Sequence, residues 1–248
     1  MGPARRLRAI LEERLALMAP SRRLRLAEAD RLLTAWAAGR TIRLLDAGCG
    51  DGILSLSLAK RHPEWTITGV DLRDDLLAGA RERASARGLR NVRFQAADLL
   101  KPLQVGGFDA VAALECLSEI PDDEAALRTM RSALRPGGAL VAQVPDRDWK
   151  PVLPGSATEW REQVRQGYGS DGLARLLAAA GFESARLSPT YRSLAAAAQE
   201  LRDRIKDRGL ALRLLVFPFL AAAVWLERRG LTWGRSNAIL FVCRRPDH

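Results

Sequence analysis

Leu44-Leu45-Asp46-Ala47-Gly48-Cys49-Gly50-Asp51-Gly52 decides the fold of this chain. The apolar pair reads as the end of a buried strand, and Ile53-Leu54-Ser55-Leu56-Ser57-Leu58-Ala59 continues as a helix. Between them three glycines alternate with other residues. A glycine-rich turn from strand to helix lets the backbone approach a nucleotide-like ligand closely. A dinucleotide fingerprint, Gly-x-Gly-x-x-Gly, would put its third glycine at position 53, which is Ile53. Here the third glycine is Gly52, and Asp46 stands two residues before Gly48. A carboxylate there repels a pyrophosphate and attracts a ligand with an ammonium, a sulfonium and no phosphate. A dinucleotide oxidoreductase is thereby disfavoured.

Two further acids extend the pattern. Trp65-Thr66-Ile67-Thr68-Gly69-Val70 reads as a second strand, with Asp71 at its carboxyl end, 19 residues after Gly52. An acid at that place can accept both hydroxyls of a ribose. Asn91-Val92-Arg93-Phe94-Gln95-Ala96 reads as a third strand, and Asp98 follows within two residues. Its carboxylate is placed to accept from the exocyclic amine of adenine. Taken singly, Asp71 and Asp98 are equally readable as helix caps or turn residues. Three acids at the ends of three successive strands, with the glycine turn among them, form a constellation. The ligand it fits is S-adenosyl-L-methionine.

The chain resembles the class I S-adenosylmethionine-dependent methyltransferases. The resemblance rests on LLDAGCGDG (44–52), TGVDL (68–72), FQAADL (94–99), FDAVAALECLSEI (108–120) and LRPGGALVAQVP (134–145), in that order. A weaker similarity runs through GYGSDGLARLLAAAGFE (167–183). It implies an α/β, Rossmann-like, mostly parallel sheet of seven strands with helices on both faces. It also implies cofactor contacts from Asp46, Gly48, Cys49, Gly50, Asp71, Leu72, Asp98, Leu99 and Leu114. One departure stands out: relatives often carry Glu-His where this chain has Glu115-Cys116. Any role for a histidine at that place is absent.

At 248 residues the chain has the size of one α/β domain with embellishments. Residues 1–40 read as an N-terminal helical lid, 41–190 as the cofactor-binding core, 191–235 as a helical cap inserted before the last strand, and 236–248 as that strand. Within the lid, helices are expected over 4–18 and 21–38, the second capped by Ser21. Cys49, Cys116 and Cys243 lack metal-ligand spacing and fit a reduced, cytoplasmic protein; no apolar stretch after the first arginines suggests a signal peptide. Of the two histidines, His62 reads as a surface residue. The net charge of +10 admits nucleic acid, an anionic membrane or acidic substrates. Its arginines gather early (Arg5, Arg6, Arg8, Arg14, Arg22, Arg23, Arg25) and late (Arg202 to Arg235).

The insertion contains an uncharged run of 13 residues, Leu214 to Leu226. That is short for a bilayer span, and Pro218 should kink it. A buried helix, the wall of an apolar pocket and a peripheral membrane contact through 210–229 all remain open.

Methyl transfer is an in-line displacement on an activated donor, so it asks for positioning more than for covalent machinery. This is why the acceptor side is less legible. Glu115 and Tyr168 are the catalytic candidates, with Ser118 and Glu119 nearby; packing and loop roles compete for both. The loop after strand four, Leu114-Glu115-Cys116-Leu117, lacks the Asn/Asp-Pro-Pro-Tyr/Phe pattern of enzymes that methylate nucleobase amines. The reading is O- or C-methylation of an apolar small molecule, with no nucleic acid partner expected. An RNA or protein methyltransferase using the basic surface, and a non-catalytic S-adenosylmethionine-binding protein, are the alternatives.

Overall fold

Strand β1, Arg43–Ala47, is buried at every residue after Arg43. A strand hidden on both faces belongs inside a parallel sheet covered by helices. The computed structural model, which describes residues 19–156, 164–190, 192–231, 233–234 and 236–247, shows that sheet. The first expected helix, over 4–18, lies outside the described residues, as do Arg5, Arg6, Arg8, Arg14, Trp160 and Arg235.

Helix α1 (Pro20–Ala37) precedes β1, and α2 (Ile53–Arg61) follows it. Then come β2 (Thr66–Asp71), α3 (Asp74–Ala86), β3 (Val92–Ala96), β4 (Phe108–Leu114), a short 3-10 turn (Leu117–Glu119) and α4 (Asp123–Ala133). The chain continues through β5 (Leu134–Pro145), α5 (Ser170–Ala179), β6 (Glu183–Thr190), α6 (Ser193–Ile205), α7 (Leu210–Arg228) and β7 (Ala238–Arg244). The sheet order is β3-β2-β1-β4-β5-β7-β6. Pairs from β3 to β5 are parallel, and β7 runs antiparallel to β5. The order reverses between β1 and β4, so the crevice for a ligand lies at their carboxyl ends.

The chain forms two compact units. The sheet unit takes, among the described residues, 28–148, 164–188 and 238–247. Its core gathers Leu45, Val70, Phe108, Val111, Leu127, Leu140 and Phe241, all essentially inaccessible to solvent. The helical unit takes, among the described residues, 19–27, 149–156 and 189–237. Residues 28–40 group with the sheet, and 149–156 with the helices.

Carboxylates organise the helical unit. Glu227 is buried and accepts from the backbone N–H of Arg192 (2.6 Å) and Ala195 (2.8 Å). It thus caps the amino end of α6 from a distant part of the chain. Glu200, also buried, accepts from Val152 and Leu153, each at 2.8 Å. Helix α7 is longer than the uncharged run suggested and passes through Pro218 without a break. Its 19 residues make it, among the described residues, the helix long and apolar enough to cross a membrane by length and composition.

Two local expectations are corrected. Ser21 lies inside the first turn of α1, where its hydroxyl donates to Gln199 Oε1 at 2.9 Å instead of capping the helix. Strand β5 pairs Leu134 with Phe108, and Arg135–Gly138 bulge out before the ladder resumes at Ala139. His62 is not a surface residue: its ring stacks on Trp65 at 3.9 Å, and its Nε2 lies 3.0 Å from Asp30 Oδ1. A polar residue at a helix end gains more from a buried acceptor and an aromatic face than from water.

Asn91 holds this corner of the sheet. Its amide Nδ2 donates toward the carbonyls of Ala59, His62 and Trp65, each at 3.1 Å. Removing it strands those carbonyls beneath the turn. Asn91→Ala is expected to lower unfolding free energy by about 2 kcal/mol in urea denaturation.

Candidate active site

The turn after β1 is shaped by what it touches. An added Cβ at Gly48 would meet Cys116 Cβ at 2.4 Å, and one at Gly52 would meet Phe94 and Ala80 at 2.7 to 2.8 Å. Both glycines also have positive φ, +69° and +71°. Side chains at these two positions are excluded by packing and by backbone conformation alike. Gly50 differs: a Cβ there would meet nothing within 4 Å. The middle of the turn is the open part, and a ligand can approach its backbone.

Asp71 ties this turn to β2. Its Oδ2 accepts from the Gly50 N–H at 2.7 Å, and its Oδ1 accepts from the Arg73 N–H at 2.9 Å. Asp71 is the last residue of β2 itself. A carboxylate offers about four lone-pair positions, so two remain for further donors. Leu72, directly after it, is 71% exposed. Asp98 accepts from the Leu100 N–H at 2.9 Å and has Lys101 Nζ 3.5 Å away, which makes it a turn residue as well as an accessible acid. Leu99 instead turns into the core and is 7% exposed, so its side chain serves packing. Cys49 is likewise buried, packed with Leu56, Leu77, Ala80 and Phe94.

Asp46 lies beneath the turn at 2% exposure and accepts from Ser55 Oγ at 2.6 Å. Burial pushes its pKa up to about 6; the Ser55 hydrogen bonds oppose this, and the neighbouring charges of Asp71 and Asp51 add to it. Three carboxylates therefore share this end of the sheet. Their field disfavours phosphate and favours positive centres.

Leu114, half-buried, ends β4, and Glu115 follows with φ +68°, a left-handed conformation unusual for a residue with a side chain. It is held there from both ends. Its N–H donates to the Gln143 carbonyl at 2.9 Å, and its Oε1 accepts from Gln143 Nε2 at 2.8 Å. Backbone strain of this kind persists only where surroundings over-determine it. Cys116 donates its thiol to the Ala47 carbonyl at 3.3 Å, and burial raises its pKa well above the ordinary thiol range. It stays protonated and fills the place against Gly48.

Tyr168 is the other catalytic candidate, and it is 6% exposed. It belongs to the core, and its hydroxyl donates to Asp123 Oδ2 at 2.9 Å and accepts from Arg165 Nη1 at 3.0 Å. Burial raises its pKa beyond the ordinary phenol range, so it is unsuited to act as a base. Ser118 is also buried, with its hydroxyl on the Glu115 carbonyl at 3.3 Å. Ser55, Gln143 and Arg165 were not anticipated. Gln143 alone gave a signal, as a polar residue inside the apolar run LVAQVP.

The methyltransferase domain family matches residues 39–181. The chain belongs to the class I S-adenosylmethionine-dependent methyltransferases. Ubiquinone biosynthesis O-methyltransferases of Xanthomonas axonopodis pv. citri (strain 306) and Idiomarina loihiensis are similar to this methyltransferase domain. They are 38% identical over 106 residues and 37% identical over 115 residues. These matches cover 42% and 46% of this chain and 44% and 46% of the relatives, so the chain spans less than half the length of the curated relatives it matches. Among solved structures, the [4+2]-cyclase SpnF is 29% identical with a TM-score of 0.61, covering 88% of this chain and 82% of its own. Phosphoethanolamine N-methyltransferase 2 of Haemonchus contortus, in complex with S-adenosyl-L-methionine, shares the fold at 19% identity and a TM-score of 0.66, covering 89% of this chain and 52% of its own.

The raised pKa of Asp46 has a defined consequence for stability. The folded state holds this proton more tightly than the unfolded chain between pH 4 and pH 6. Its contribution is present in full below pH 4 and lost as pH rises through about 6. Asp46→Asn removes that slope. Its unfolding free energy relative to wild type is expected to rise by about 3 kcal/mol between pH 4 and pH 7, measured by urea titration without added ligand.

Proposed function

We propose that this chain transfers a methyl group from S-adenosyl-L-methionine to an oxygen or carbon of an apolar small molecule. The observation that carries the proposal is the group of Asp46, Asp71 and Asp51 around the open backbone of Gly50. It suits a nucleoside with positive centres and no phosphate. The names of the curated relatives support oxygen as the methylated atom and a quinone-type acceptor. The three free thiols support a reducing, cytoplasmic setting.

The roles follow from position and chemistry. Asp71 keeps two acceptor positions for ribose hydroxyls, Leu72 offers an apolar surface for a base, and Asp98 an acceptor for its amine. Gly48, Cys49 and Gly50 present backbone to the amino-acid end, and Leu114 and Leu99 frame the site through strand end and core. Asp46 acts through its field, and a cationic ligand would lower its pKa again. The cofactor supplies an electrophilic methyl group on a sulfonium. The chain supplies alignment and exclusion of water. Glu115, fixed by Gln143 after β4, orients the acceptor or takes its proton.

Calorimetry is the first test. Wild type is expected to bind S-adenosylmethionine and not NAD, and Asp71→Ala to bind at least about tenfold more weakly. In transfer assays with quinol acceptors, Glu115→Gln should keep cofactor affinity and lose at least about tenfold in kcat. Failure of wild type to bind the cofactor would overturn the reading. A second reading has its own support, because a solved relative at 29% identity is a [4+2]-cyclase by name. Cofactor binding without release of S-adenosylhomocysteine from any acceptor would favour it.

A further inference from the structure

Helix α7 is apolar on its solvent side. Leu220, Val224 and Glu227, spaced by four and three residues, are its buried face. Val224 packs with Leu24 and Ala195 of the same unit, and Glu227 caps α6. The opposite face carries Leu214, Leu215, Pro218, Phe219, Ala222 and Trp225, all exposed. Leu215 is 69% exposed, Phe219 72% and Trp225 53%. No polar side chain interrupts this stripe between Leu214 and Trp225. A helix in water normally turns a polar face outward, and contiguous exposed apolar surface marks an interaction site.

The ends of the stripe are basic. Arg228 and Arg229 close its carboxyl end, with the Arg229 guanidinium over the Trp225 ring at 4.2 Å. Before the helix stand Arg202, Arg204, Lys206 and Arg208, outnumbering Asp203 and Asp207. Past the helix, Leu231 and Trp233 are 55% and 59% exposed. Tryptophan beside arginine is the pairing that suits the boundary between acyl chains and headgroups.

We infer that the outer face of α7 docks on an anionic lipid surface, lying in the interface with its arginines on lipid phosphates. Charge selects this occupant. A second copy would bring two sets of Arg228 and Arg229 together, whereas an anionic surface neutralises them. The inner face argues against a bilayer span. Crossing would carry Glu227 into hydrocarbon and remove the acceptor from the amino end of α6. The inference is independent of methyl transfer.

Co-sedimentation of the full chain with vesicles tests it. Vesicles of phosphatidylcholine alone are compared with vesicles containing about one third phosphatidylglycerol. Wild type is expected to partition onto the anionic vesicles and to lose affinity as salt rises. Leu215→Ser combined with Phe219→Ser changes only exposed positions and should keep the circular dichroism spectrum. Its partitioning is expected to fall by at least about tenfold, since each side chain removes buried apolar area. Equal partitioning of variant and wild type, or no partitioning of wild type, overturns the inference. Concentration-dependent self-association that the double variant abolishes, without vesicle binding, assigns the face to a second copy and overturns it too.

Discussion

The hydrogen bond from the Gly50 N–H to the Asp71 carboxylate is the tie on which the site depends. It joins the turn after β1 to the end of β2, across the register Ala47 to Val70. Once it is made, Gly48 is pressed on Cys116 and Gly52 on Phe94, so the turn also contacts the segment after β4 and the middle of β3. Four strands are then linked through one short loop. A shift of the loop by even one methyl group would collide with packed side chains, and well-packed interiors do not absorb such volume. Under the proposed function the carboxylate that orders the loop would also meet the ligand, which would couple order to recognition.

The second constraint is electrostatic. Asp46 is buried where burial raises its pKa, and it is kept there by the hydroxyl of Ser55. Such a group weakens the fold at neutral pH unless a positive charge comes near. A cationic ligand would relieve that cost, which links cofactor binding to the stability of the sheet end. Glu115 follows the same logic in the backbone. Its left-handed φ is maintained by two hydrogen bonds to Gln143, so local strain is held by the neighbouring strand.

Much of this is legible in the sequence. The alternation of apolar strands with helices announced a parallel sheet, and the seven strands appear in the expected sequence. Asp46, Asp71 and Asp98 drew attention because carboxylates rarely recur at strand ends by chance. Tyr168 is less legible for a physical reason: an aromatic in an irregular segment reads alike whether it faces a cleft or fills a core. Only its contacts with Asp123 and Arg165 distinguish the two. His62 misled in the same way, since Asp30, its partner, lies 32 residues away.

By itself the sequence determined the fold class, the glycine turn and the acids around it. These depend on local periodicity, on spacing along single strands and on residue types that few other roles require. Tertiary structure alone decided that Gly48 makes room for Cys116, that Gln143 holds Glu115, that Glu227 caps α6 and that α7 turns an apolar face outward. Each of these joins residues far apart in the chain or asks which side of a helix is covered. Local pattern cannot answer that, because the identity of the neighbour is set only when the whole chain has folded.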